Sequence, residues 1–137
     1  MPEIEILARA VITHNNKILL CYAPGDSPER YYIPGGHVEI GERIEDALNR
    51  EMKEEIGTEI ISPKFLGFFE NFFQEKEENK HEINFLYETS IKSSNPESVK
   101  SQEDHVSISW VDIDKLPTIN LLPKTIHQFL IHDFFKK

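Results

Sequence analysis

GHVEIGERIEDALNREMKEEIGT, residues 36–58, combines a strong helix signal with an unusual arrangement of charge. The part from Glu42 to Ile56 is dense in Glu, Arg, Ala, Leu, Met and Lys, with no internal Gly or Pro, which predicts a helix that Gly57 is placed to stop. At about 100° per residue, Ile44, Ala47 and Leu48 form an apolar stripe while Asp46, Asn49 and Lys53 face away. Glu51, Glu54 and Glu55 project into much the same sector as that stripe, so the side expected to pack inward carries three acids within one turn. Carboxylates held together and partly desolvated raise one another's pKa and need a cation to stay ionised. Arg50 supplies one charge. The remainder suits a hard divalent ion such as Mg²⁺, which takes oxygen ligands and is commonly completed by substrate phosphates. The helix alone leaves a second reading open, a solvated acidic face. Gly35-Gly36, just ahead of it, favours the metal, because backbone without side chains can approach an ion or a phosphate closely.

Outward from this stretch, Ile4 to Thr13 and Lys17 to Tyr22 are aliphatic and β-branched, and they flank a turn at His14-Asn15-Asn16, which predicts a hairpin. Ala23 to Arg30 reads as a loop leading into a short strand at Tyr31-Tyr32-Ile33. Phe65 to Phe73 and Ile83 to Ile91 predict two strands around a charged connector, Glu75 to Lys80, and Val106 to Val111 predicts another. A last helix is expected between roughly Leu121 and Phe135, where Ile126, Phe129, Leu130 and Phe134 recur at helical spacing. Phe65, Phe68, Phe69, Phe72 and Phe73 are expected in the core rather than as a base-stacking platform. Packing is the expectation for Tyr31 and Tyr32 as well, although their place beside residues 36–58 makes a substrate contact more plausible there. Strands interleaved with two helices are compatible with α/β or α+β and do not choose between them.

The chain has 137 residues, enough for one domain with a real core, residues 1–137 being read as that domain. No apolar run approaches the length of a membrane span, and the N-terminus lacks a signal-peptide pattern, so a cytoplasmic protein is expected. A net charge of −9 argues against gripping duplex nucleic acid by its phosphates. An anionic substrate would need metal ions as intermediaries. Cys21, the one cysteine, excludes an internal disulfide and reads as a buried thiol. His127 and His132 have no acidic or cysteine partner at metal-ligand spacing and read as packing or surface residues. His37 could touch a phosphate, or only stand near the site.

Gly36, Glu42, Arg50, Glu51, Met52, Glu54, Glu55 and Gly57 together resemble the box of the Nudix hydrolase family, MutT-like in its general form. Every charged and glycine position of that box is filled, and Pro34-Gly35-Gly36-His37-Val38-Glu39 and Trp110-Val111 with Asp114-Lys115-Leu116-Pro117 are similar to its surroundings. Thr58, at the final aliphatic place, is the one departure. The resemblance implies an α/β/α sandwich with a mixed central sheet. It implies a pyrophosphohydrolase whose metal, Mg²⁺ or alternatively Mn²⁺, is held by Glu51, Glu54, Glu55 and the backbone carbonyl of Gly35. Arg50 orients the acids, Glu42 supports them, and the general base is Glu51 or a later loop acid, Glu103 ahead of Asp104. The expected partner is a small diphosphate-containing molecule, and a homodimer is compatible with the family. Signatures of hydrolases acting on ADP-ribose, dinucleoside polyphosphates and coenzyme A are not found, which leaves nucleoside triphosphates, oxidised nucleotides or sugar nucleotides. The rival reading is a non-catalytic nucleotide-binding domain with a regulatory role, although such domains usually lose box acids.

Overall fold

The second half of Ile4–Val11 (β1) is buried on both faces, with Leu7, Ala8, Ala10 and Val11 all inaccessible, because both faces of the sheet are covered there. The structure is a computed structural model that describes residues 3–25 and 29–136. β1 runs parallel to Glu78–Ile91 (β7), which pairs with Ile60–Glu75 (β6), and on its other side β1 takes the short strand Gly35–His37 (β5). The order of this first sheet is β5-β1-β7-β6, leaving β6 at an edge. The second sheet joins Thr13–His14 (β2), Lys17–Tyr22 (β3), Tyr31–Tyr32 (β4) and Leu121–Leu122 (β9), with Ser107–Asp112 (β8) on the free side of β3.

Two cores result. One lies under the helix Ile44–Ile56 (α1), where Leu48, Met52 and Ile56 meet Ala8, Ala10, Tyr87 and Ile91. The other lies under Lys124–Phe129 (α2), where Ile126 and Leu130 meet Val11, Leu20, Ile33 and Leu86. A helix on each side of mixed sheets is the α/β/α sandwich expected. Trimming Met52, which has no accessible surface, to alanine should cost about 2–5 kcal/mol. No helix among the described residues is long and apolar enough to cross a membrane.

Several boundaries move, each for a local reason. The first hairpin is only Thr13-His14 on Lys17-Ile18, closed by Asn15 and Asn16 at φ 50° and 60°; the chain changes sheets at Ile12, so β1 and β3 do not pair. α1 starts at Ile44, not Glu42, because Gly41 turns at φ 85° and Glu42 folds back so that its carboxylate accepts the Glu39 amide at 3.0 Å. The connector shrinks to the two-residue turn Lys76-Glu77, at φ 51° and 65°, and β6 and β7 extend through the rest. Leu121 and Leu122 leave the last helix to pair with Tyr31 and Tyr32, and after Phe129 the helix widens into a π turn, Leu130–Phe134. Phe69 packs on Phe129, but Phe65, Phe68, Phe72 and Phe73 are exposed, contrary to their expected place in the core. Cys21 is buried, as read. Of the loop at Ala23 to Arg30, residues 26–28 lie outside those described.

Candidate active site

Gly35 and Gly36 enter the site on β5, directly against β1 and the acidic side of α1. At φ 144° Gly35 occupies backbone space that side chains rarely adopt, and a Cβ there would run into the carbonyl oxygen of Ala8. A Cβ on Gly36 would overlap the carboxylate of Glu51. The two glycines are therefore the contact surface between a strand and an acid-bearing helix. The Gly35 amide donates to Glu55 Oε2 at 3.2 Å, so it is the amide of this residue that faces the acid here.

Arg50 organises the cluster from its rim. Its guanidinium donates to both oxygens of Glu42, at 2.7 and 3.0 Å, to Glu51 at 2.9 Å, to Glu54 at 3.4 Å and to the His37 carbonyl at 2.9 Å. This planar fork draws the loop before α1 onto the helix. Bonding to Arg50, with help from the Glu39 amide, holds the Glu42 carboxyl down to about 2. Glu51 and Glu55 are raised instead, by burial first. Arg50 opposes the rise at Glu51, whereas at Glu55 the neighbouring charges of Glu51 and Glu103 add to it and carry it to about 8. The sector assignment on α1 needs one correction: the Glu51 side chain is 17% exposed but that of Glu54 is 56% exposed, at the solvent margin of the cluster.

Glu103 reaches the same site from the loop before β8. The Gln102 amide donates to the Glu55 carbonyl at 2.7 Å, and the Ser101 hydroxyl both accepts from the Glu103 amide and donates to its carbonyl. The loop is thereby fixed on the end of α1, close enough for Glu103 to act on the charges of Glu51 and Glu55. The His37 side chain turns away from α1 to pair with Glu5 at 3.1 Å; with Glu82 these residues place three ligand atoms within 4.8 Å of one another. His127 is buried and bonds the Leu116 carbonyl at 2.7 Å, a packing role.

Arg9 is the residue that the sequence reading missed. It is enclosed, with its Nε on Asn84 at 2.9 Å and Nη1 on the Ile33 carbonyl at 2.8 Å; burial lowers its pKa, against the raising effect of Glu82, Glu55 and Glu51. Arg9 and Tyr32 line two cavities at once. One, of about 200 Å³, contains Glu55 and Cys21; the other, of about 550 Å³, is walled by Arg30, Asn71, Phe73, Gln74 and Glu82. An arginine amid the alternation of Ile6-Leu7-Ala8-Arg9-Ala10 was the available signal, since a buried strand carries a charge only where something answers it.

The donor set fits a divalent cation. It offers carboxylate oxygens, more negative charge than Arg50 offsets, and acids whose protonation is pushed up where no ion balances them.

Over most of its length the chain is similar to a known family. The model of the NUDIX domain matches residues 5–131. Nucleoside triphosphatase NudI of Escherichia coli O17:K52:H18 (strain UMN026 / ExPEC) is 32% identical over 113 residues, covering 77% of this chain and 80% of that one. An uncharacterized Nudix hydrolase, YvcI of Bacillus subtilis (strain 168), is 26% identical over 137 residues, covering 100% and 82%. Among solved structures, the MutT NUDIX hydrolase from Burkholderia pseudomallei superimposes with a TM-score of 0.73 at 20% identity, covering 91% of this chain and 95% of that one. The MutT protein from Methanosarcina mazei Go1 gives 0.72 at 24% identity, covering 95% and 92%. With the glycines and acids of its box brought together in space and the NUDIX domain matched over residues 5–131, the chain belongs to the Nudix family of hydrolases.

Proposed function

We propose that this Nudix pyrophosphohydrolase is a single-domain cytoplasmic enzyme that acts on nucleoside triphosphates with Mg²⁺, or Mn²⁺ in its place. The observation that carries the substrate class is the pair of cavities joined at Arg9 and Tyr32. The larger one offers the aromatic walls and the mixed donors and acceptors that suit a nucleobase, with Tyr32 and Phe73 beside Asn71, Gln74 and Glu82. The smaller one opens on Glu55, where a phosphate chain would meet the acidic helix. The printed activity of the Escherichia coli relative, a nucleoside triphosphatase, points the same way.

Glu51, Glu54 and Glu55 would hold the metal, joined by the carbonyl oxygen of Gly35 rather than by the amide that bonds Glu55. When bound, the ion neutralises charge on the diphosphate oxygens and eases ionisation of the attacking water. Arg50 keeps Glu51 and Glu54 aimed and supplies no proton. Arg9, buried and charged between the two cavities, presents a fixed cation toward the phosphates. Glu51 is already committed to Arg50 at 2.9 Å, which weakens it as a base, whereas Glu103, whose ion-pair partner is His105 at 3.7 Å, faces the same acids. Glu103 therefore takes the proton from water as the water oxygen bonds to the α-phosphorus and the bond from that phosphorus to the α–β bridging oxygen breaks, releasing the nucleoside monophosphate and pyrophosphate.

The test is product release from a panel of nucleoside triphosphates, oxidised triphosphates, sugar nucleotides and dinucleoside polyphosphates. The expected result is the highest kcat/KM on a triphosphate, with Tyr32→Ala raising KM more than it lowers kcat. Preference for a sugar nucleotide or a dinucleoside polyphosphate would remove the substrate assignment while leaving the hydrolase intact.

A further inference from the structure

The side of the first sheet that carries α1 is only partly covered by it. Strand pairing sets Phe68 opposite Phe85, Phe85 opposite Ala8, Phe72 opposite His81 and Ile83 opposite Ile6, so these residues share one face. α1 packs on Ala8, Ala10, Tyr87 and Ile91, toward one end of that face. A 13-residue helix spans roughly 20 Å, whereas the 16 residues of β6 span roughly 50 Å, so the rest of the hairpin stays bare. On this remainder Phe65, Phe68 and Phe72 are 51%, 62% and 68% exposed, and Ile4 is 56% exposed. Phe65 and Phe68 lie against Phe85 with ring centroids 6.1 and 6.2 Å apart, forming one continuous aromatic surface.

We propose that this face is where a second copy of the chain docks, making a two-fold dimer centred near Phe68. Area supports a copy of the same chain. At about 200 Å² per phenyl side chain, the three exposed phenylalanines leave roughly 360 Å² open, and Ile4 brings the patch to roughly 450 Å². A standard interface hides about 800 Å² per partner, of which a little over half is apolar, so the patch supplies the whole apolar share of one such interface. Phe65 and Phe72 flank Phe68 on the same strand, and an isologous contact requires a patch that can meet itself in that way.

Charge supports it too. The chain carries −9 overall, yet this stretch of the face holds one carboxylate, Glu70, which lies 2.9 Å from the His81 ring. A basic partner would be drawn to the acids elsewhere. Two acidic copies meet with least repulsion over so sparsely charged a surface, and added salt should help them by screening what repulsion is left. The opposite face of the hairpin carries Asn71 and Phe73 in the cleft, so docking leaves the cavities open.

Sedimentation velocity of the full chain, from sub-micromolar to hundreds of micromolar and at low and high salt, tests this. The expected result is a monomer–dimer equilibrium that tightens with salt and that Phe68→Lys with Phe72→Lys weakens by about tenfold or more. Hydrogen exchange on the wild-type chain should show protection at residues 64–73 and 81–86 that grows with concentration. That measurement holds even if the double variant folds poorly. A wild-type chain that stays monomeric throughout, a dimer that the substitutions leave unchanged, or protection that does not follow concentration would each overturn the proposal.

Discussion

Replacing Glu55 by glutamine should flatten the pH dependence of stability in the metal-free protein. The Glu55 carboxyl rises from an ordinary 4.5 to about 8 in the folded chain, through burial and the charges of Glu51 and Glu103. Between those values the folded state keeps a proton that the unfolded state has released. Stability then falls as pH rises, by at most about 1.4 kcal/mol per pH unit for one group. The favourable contribution of the neutral carboxyl is whole below 4.5 and is lost on the way to about 8. From about pH 5.5 to 7.5, allowing for partial exposure and coupling to Glu51, the loss is roughly 2 kcal/mol, or several degrees in Tm. A glutamine has nothing to titrate, so the variant should lose several degrees less than wild type over this range. Excess Mg²⁺ should restore wild type most at the upper end, where the ionised acid binds it. Thermal melts of chelator-treated protein across this range provide the assay. Parallel curves for wild type and Glu55→Gln, or a wild-type Tm that climbs relative to the variant as pH rises, would refute the assignment of Glu55 as the strained acid.

Gly36→Ala forces a methyl group onto the Glu51 carboxylate, so Mg²⁺ affinity measured by calorimetry should fall about tenfold or more. Arg50→Lys keeps one charge but loses the fork shared among Glu42, Glu51, Glu54 and the His37 carbonyl, so kcat should drop by about 10- to 100-fold with the far-ultraviolet dichroism unchanged. Glu103→Gln should lower kcat by about 10²-fold or more while leaving Mg²⁺ affinity within a few-fold of wild type, and a matched collapse of metal affinity would move Glu103 into the ligand set.

The acidic helix was legible because one short stretch carries its period, its stop and its charges together. Glu51, Glu55 and Arg50 stand where the spacing put them, and the second core under α2 follows from the repeat of Ile126, Phe129 and Leu130. Other features depend on partners distant in sequence. Exposure of the phenylalanines follows from α1 being shorter than the hairpin beneath it, which composition does not state. Leu121 and Leu122 suit a helix locally but are taken by the open edge of β4, and β1 and β3 look like one hairpin because an alternating pattern does not name the sheet it joins. Arg9 was visible as a charge in an apolar strand, yet its position between two cavities depends on β4 and on residues of β6 and β7. Glu103 could be nominated but not placed until the Gln102 amide was seen holding its loop to α1.

The most direct test of the account is turnover of a nucleoside triphosphate with Mg²⁺, with chelator, and with Mg²⁺ in the Glu54→Gln variant, reading nucleoside monophosphate and pyrophosphate as products. The account predicts turnover that needs the metal and falls by orders of magnitude in the variant. Tight nucleotide binding without turnover under all three conditions would contradict it and favour a regulatory binding domain.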